Sequence, residues 1–240
     1  MSLYNHSLPI KHRSSLAKSL SILLMIGISF PLSGCLASLK PNWDMTKALK
    51  SEPDDKKIAL EYSRSLSERG EKMQALEVIK KLQTSHPNDK DVLAAYGKAL
   101  VSVGQYQSAL QAVHMAENPA KRDWRLISTE ASARDGLGQH IKALKLHQQA
   151  INMNPNDASL LSNLAMSYIL TKNNKAAEAA LVKAVAMPDA TPQIRQNLAF
   201  VLGLQGNYDA ARRWYNKDLP KDQTESNIAY IKNTFLSANG

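Results

Sequence analysis

The sequence predicts an all-α protein: a superhelix of repeated helical hairpins closed by a C-terminal capping helix. Three observations carry this. Aromatic residues make up only 6% of the 240 residues, while alanine and leucine are abundant, and both lose little side-chain freedom in a helix. Ala75, Ala109, Ala143, Ala177 and Ala211 recur with a spacing of 34. Apolar pairs such as Tyr96 and Leu100, Leu164 and Tyr168, and Leu198 and Leu202 fall four apart, which places each pair on one helical stripe.

The front of the chain has a different composition. Met1 to Lys18 is polar and carries Lys11, Arg13 and Lys18, with His12 among them and no acid. Leu20 to Leu32 is apolar, interrupted by Ser21, Gly27, Ser29 and Pro31. A basic segment, a short apolar run and small residues before a cut describe a secretory signal. The run falls short of the roughly 20 residues of a transmembrane helix; retention as an N-terminal anchor is the second reading. The only cysteine, Cys35, follows directly in Leu32-Ser33-Gly34-Cys35. This stretch resembles a bacterial lipobox. The resemblance implies lipid on the Cys35 sulfur, cleavage between Gly34 and Cys35, and acylation of the new terminus. A thiol is the best nucleophile available for that transfer. Several acyl chains anchor more firmly than one, at about 0.8 kcal/mol per buried methylene. Leu36 stands where an inner-membrane retention aspartate often lies in such lipoproteins, so the resemblance implies the outer membrane, facing the periplasm. Residues 1–34 are thus read as a lipoprotein signal peptide. Residues 35–55, with two prolines and mixed charge, are read as a lipidated tether.

The repeats begin at Lys56. Gly70, Gly104, Gly138 and Gly206 share one position of the 34-residue grid, with Lys172 in the fourth copy. Ser63, Gly97, Ala131, Ala165 and Ala199 share another; Ala116, Ala150 and Ala184 a third, flanked by Leu82 and Asp218. Pro87 and Pro155 end units, and Pro119, Pro188 and Pro220 fall near the same place. The period and these positions resemble tetratricopeptide repeats. Five copies fit, starting at Lys56, Lys90, Trp124, Ala158 and Pro192 and spanning residues 56–220. The resemblance implies a right-handed superhelix of paired antiparallel helices. Small residues let the helices of a pair approach, glycine ends the first helix in a left-handed turn, and proline ends the second. One unit cannot cover its own apolar face, so neighbours stack. Residues 221–240 supply a capping helix and tail, with Ile228, Ile231 and Phe235 recurring at three and four.

A stack of this kind has a concave groove lined by its first helices. Offsets of three and four place Arg125, Ser128, Ser132 and Asp135 there from the third unit. The fourth contributes Ser159, Ser162, Met166 and Ile169, and the fifth Gln193, Gln196, Phe200 and Gly203. Apolar anchors beside amides and serines suit a peptide or a helix of a partner protein; packing against the neighbouring second helices accounts for the same pattern. Asn163 and Asn197 share one grid position and read as structural hydrogen bonders before ligand contacts. In the third unit Glu130, Arg134 and His147 occupy places that are apolar elsewhere. Glu130 and Arg134, four apart, can pair on one face. The trio is either a polar, pH-responsive spot for a partner or a half-exposed patch with a snorkelling arginine.

Composition and motifs narrow the function. The formal charge is +9. Without residues 1–34 it is 27 basic against 21 acidic residues, a net +6, with the signs interspersed. No nucleic-acid motif accompanies that excess. His86, His114 and His140 lack metal-ligand spacing. There is no nucleophile elbow, phosphate loop or paired-carboxylate motif, which argues against an enzyme or a small-molecule site. No cofactor is expected.

The back half is more specific than the generic repeat. Ser162 to Tyr168 (SNLAMSY), Ala176-Ala177-Glu178, Arg195 to Gly206 (RQNLAFVLGLQG), Asp218-Leu219-Pro220 and Asn227 to Ile231 (NIAYI) resemble the TadD-like lipoproteins of Flp (tight adherence) pilus assembly. Together they span about 80 residues; Arg134 departs from the apolar residue expected at its place. The resemblance implies a non-catalytic outer-membrane lipoprotein scaffold that assists Flp pilus assembly by binding the secretin of the pilus machine. The alternatives are another periplasmic repeat lipoprotein, acting in outer-membrane protein insertion or cell-wall synthesis, and an envelope enzyme.

Overall fold

Helices begin where the grid places the units. The computed structural model describes residues 55–118 and 122–236. Cys35, the signal, nearly all of the tether, Pro119 and the Phe235 side chain lie outside the described residues. Among those described there are eleven α-helices and no strand. They form five antiparallel pairs: α1 (Lys56–Glu68) with α2 (Lys72–Ser85), α3 (Lys90–Ser102) with α4 (Tyr106–Ala116), α5 (Trp124–Gly136) with α6 (His140–Met153), α7 (Ala158–Leu170) with α8 (Asn174–Val185), and α9 (Pro192–Leu204) with α10 (Tyr208–Tyr215). Helix α11 (Lys221–Ile231) follows, and a π-helical turn (Lys232–Leu236) extends it.

Each first helix starts on a fixed device. Asp55, Asp89, Asp123 and Asp157 lie 34 apart and accept backbone N–H groups at the heads of α1, α3, α5 and α7. An aspartate cap of this kind contributes about 1 kcal/mol. The fifth copy replaces it with Thr191 followed by Pro192, whose fixed φ suits a first helical position. Each first helix also ends alike. The residue after the turn returns its N–H to a carbonyl five back, as Glu71 does to Leu66 at 2.9 Å and Asn173 to Tyr168 at 2.8 Å. The residue between must be left-handed. Gly70, Gly104, Gly138 and Gly206 have φ near +80°, and Lys172 holds φ +60° in the same role.

The small-residue positions are the crossings. Ala75, Ala109, Ala143, Ala177 and Ala211 are fully buried, as are Ala131, Ala165 and Ala199. The largest core cluster joins the fourth and fifth pairs to α11, through Leu181, Leu198, Val201, Tyr215, Ile228 and Ile231. Gly203 is part of that join: a Cβ there would stand 2.8 Å from Ile231 Cδ1. First helices of successive units touch one another, and α9 touches α11, while second helices of successive units make no comparable contact. The stack therefore curves toward its first helices.

Candidate functional site

The first helices form the inner face, and their register is locked by side-chain bonds between units. Asn163 Nδ2 donates to Ser128 Oγ at 3.3 Å, and Asn197 Nδ2 to Ser162 Oγ at 3.0 Å. The two asparagines repeat one bond 34 residues apart, so their role is structural. Four predicted groove residues need correction. Ser128, Ser162, Asp135 and Ile169 are buried, at 4–7% exposure, because the neighbouring first helix covers them. They set the spacing of the stack and cannot meet a partner directly. Gly203 lies beneath the capping helix.

What remains open is a narrower set. Arg125, Ser159 and Gln193 are exposed; Ser132, Met166, Gln196 and Phe200 are half-buried. Met166 and Phe200 rest their inner sides on the large core cluster, which fixes them as anchors. Gln193 Nε2 donates to Asn197 Oδ1 at 3.0 Å. Arg125 is committed to acids: its guanidinium lies 2.6 Å from Asp123 and 3.2 Å from Asp91. The hydrogen bond to Asp123 is the largest influence raising it above the ordinary arginine value. Lys56 closes the same edge, 2.8 Å from Asp89 and 3.3 Å from Asp91. Its ammonium is the main cause holding the Asp89 carboxyl below the usual range. Being exposed, these pairs add little to stability; they join the heads of α1, α3 and α5.

The third unit contains a feature the sequence reading missed. Asp135 is the hub of a buried polar cluster. Its carboxylate accepts from His140 Nδ1 at 2.9 Å and from the Ser167 hydroxyl of the next unit, and His147 Nε2 stands 3.4 Å away. His147 is 1% exposed and its Nδ1 has no partner among the described residues. The expectation of a half-exposed His147 is thus corrected, since its position belongs to the core: Ile79, Val113, Leu181 and Tyr215 fill it in the other units, all buried. The Ser167 hydroxyl donates to the Asp135 carboxylate, and among the described residues no hydrogen bond joins it to either imidazole. Glu130 and Arg134 do pair, at 2.5 Å, and Arg134 Nη1 also reaches Gln139 Oε1 at 2.8 Å. Both are about three-quarters buried or more. The only sequence signal for the hub was a polar residue at two core grid positions of one unit.

In the fifth unit Arg195 grips Asp218 in a two-pronged ion pair, 2.8 Å and 2.5 Å, and this hydrogen bonding raises the guanidinium above its ordinary value. The pair ties α9 to the loop before the capping helix, and both residues belong to the segments that carry the pilus-assembly resemblance.

Comparison with known proteins agrees with this architecture. Two family models described as tetratricopeptide repeat match residues 40–133 and 158–190. No curated sequence matches the chain. A tetratricopeptide repeat protein from Parabacteroides merdae is similar at 18% identity, over 79% of this chain and 76% of that one, with a TM-score of 0.64. TTC0263, a thermophilic repeat protein of Thermus thermophilus, is similar at 24% identity, over 73% and 97%, with a TM-score of 0.61. Pseudomonas aeruginosa pilF is similar at 14% identity, over 83% and 88%, with a TM-score of 0.52. At these identities the likeness concerns the fold.

Proposed function

The chain belongs to the tetratricopeptide repeat family, and from that premise we propose that it is an envelope lipoprotein scaffold for assembly of an Flp-type pilus, acting on the pilus secretin. Repeats of this family bind protein partners and are generally non-catalytic. The observation that carries the finer reading is where the resemblance falls in the fold. Its longest segment, Arg195 to Gly206, supplies Gln196 and Phe200 to the open inner face and Arg195 to the lock on the capping helix. A half-buried aromatic beside adaptable amides is a fitting anchor for an apolar side chain of a partner segment.

The mechanism follows from two parts. Acyl chains on Cys35 hold the stack at the outer membrane, and the groove holds a segment of the secretin subunit. Tethering raises the local concentration of the groove at the membrane without any new contact. The expected result in a strain lacking the protein is loss of surface Flp pili and of secretin multimers; multimers formed at normal levels would sink the secretin role. Cys35→Ser is expected to leave the stack folded and no longer fractionating with the outer membrane, and a variant that stays there would remove the anchor from the scheme. Phe200→Ala with Met166→Ala is expected to lose secretin in co-purification from solubilised membranes while keeping its helical content.

A further inference from the structure

The face opposite the groove carries an unbalanced charge. The five second helices hold nine lysines and arginines against three acids, whereas the five first helices hold eight against five. Of the three acids, Asp209 pairs with Arg212 and Glu178 accepts from Gln205, leaving Glu77. Six lysines are exposed and, among the described residues, outside any ion pair: Lys80 and Lys81 on α2, Lys142 and Lys145 on α6, Lys175 and Lys183 on α8. In α6 the exposed Ile141, Lys142 and Lys145 lie opposite the buried Ala143, His147 and Ala150.

Large apolar side chains stand among these cations. Met73 is 66% exposed, Ile141 67% and Val182 51%. Met73 and Ile141 occupy the same repeat position two units apart, and Lys175 occupies it in the next unit. The outer face thus carries exposed aliphatic side chains and, on the second helices of the first, third and fourth units, ammonium groups outside any ion pair among the described residues; the second unit's helix, Tyr106–Ala116, holds no lysine or arginine. Among the described residues no second helix offers more than two exposed large apolar side chains, and the fifth, Tyr208–Tyr215, offers none. A shaped protein partner is met by clustered, fully desolvated anchors. A fluid layer of phosphates over an acyl boundary is met by dispersed cations with short apolar stems between them.

We propose that this outer face is a docking surface for anionic phospholipid, which lays the stack against the membrane with its groove turned toward the periplasm. The proposal does not depend on the secretin reading, and it is tested without the lipid anchor. The probe is the chain from residue 35 onward carrying Cys35→Ser, sedimented with vesicles of phosphatidylcholine alone or of an equal mixture with phosphatidylglycerol. The expected result is binding to the mixed vesicles only, weakened by salt. Lys142→Glu, Lys145→Glu and Lys183→Glu together should weaken it by at least about a hundredfold, since each lysine at an anionic surface is worth about fivefold. A matched reversal on the first helices, Lys57→Glu, Arg64→Glu and Lys98→Glu, should leave binding within about threefold, because those side chains face away from the surface. Circular dichroism of both variants guards against misfolding. Equal binding to both vesicle types, or equal loss in the two reversals, would overturn the proposal. So would tighter binding to polyglutamate, or self-association that consumes the same lysines.

Discussion

Removing the Asp135 carboxylate tests whether the buried cluster is a structural plug for the joint between the third and fourth units. Asp135→Ala leaves the Ser167 hydroxyl, which is fully buried, without its acceptor, and leaves His147 Nε2 without its neighbouring carboxylate. Each buried polar group left unpaired costs about 1–3 kcal/mol, so the expected loss for the two is about 2–6 kcal/mol. The repeat grid supplies the control. The positions of Asp135 and His147 hold Val101 and Leu181 in other units, and that of Ser167 holds Ala133. Asp135→Val with His147→Leu and Ser167→Ala removes the buried members of the cluster and leaves only His140, whose side chain is 29% exposed and can turn to water. Replacing a buried polar group set by well-packed apolar residues is often neutral or stabilising, so the triple variant is expected within about 1 kcal/mol of the parent. The assay is urea unfolding followed by circular dichroism, with midpoints and slopes compared for the single and triple variants. A single variant that loses less than about 0.5 kcal/mol would refute the satisfaction argument. A triple variant as damaged as the single one would refute the view that the cluster replaces an ordinary core.

Two further outcomes follow from backbone and packing. Gly136 faces the Tyr106 ring so closely that a Cβ would lie 2.3 Å from its Cζ; Gly136→Ala is therefore expected to destabilise by about 1–2 kcal/mol despite a helix-propensity gain of up to about 1 kcal/mol. In a Tyr106→Ala background the same change should be neutral or favourable, and thermal unfolding of the four proteins reads the difference. Lys172→Gly is expected to stabilise by about 0.5–1 kcal/mol. It relieves about 1–2 kcal/mol of left-handed strain and gives back up to about 1 kcal/mol in the unfolded chain. An unchanged melting temperature would mean that the strain relieved only offsets the entropy returned to the unfolded chain, and a lowered one that the lysine sits there without strain.

Much of the fold was legible before any coordinates. The alanine and glycine grids marked helix crossings and left-handed turns because each geometry admits few side chains, and the structure puts Lys172 in the turn that its grid position demanded. The asparagine pair was legible for the same reason. The groove was legible only in part. Helical offsets identify which residues share a face, but not how far the next helix rolls over that face, so Ser128, Asp135, Ser162 and Ile169 were assigned to an open surface and proved buried. The cluster around Asp135 was missed because Ser167 comes from the next unit, and no local spacing links it to His140 or His147.

The sequence by itself determined the period, the helix ends and the identity of the small residues at each crossing. These are local matters of backbone geometry and side-chain volume, and a 34-residue repeat states them several times over. Only the tertiary structure decided which polar residues are sealed between units and which charges share a face. In the chain the lysines and acids alternate without a block of either sign. Stacking turns the second helices outward together and puts on the outer face six lysines that are outside any ion pair among the described residues, because segments distant along the chain come to share a face once the units stack.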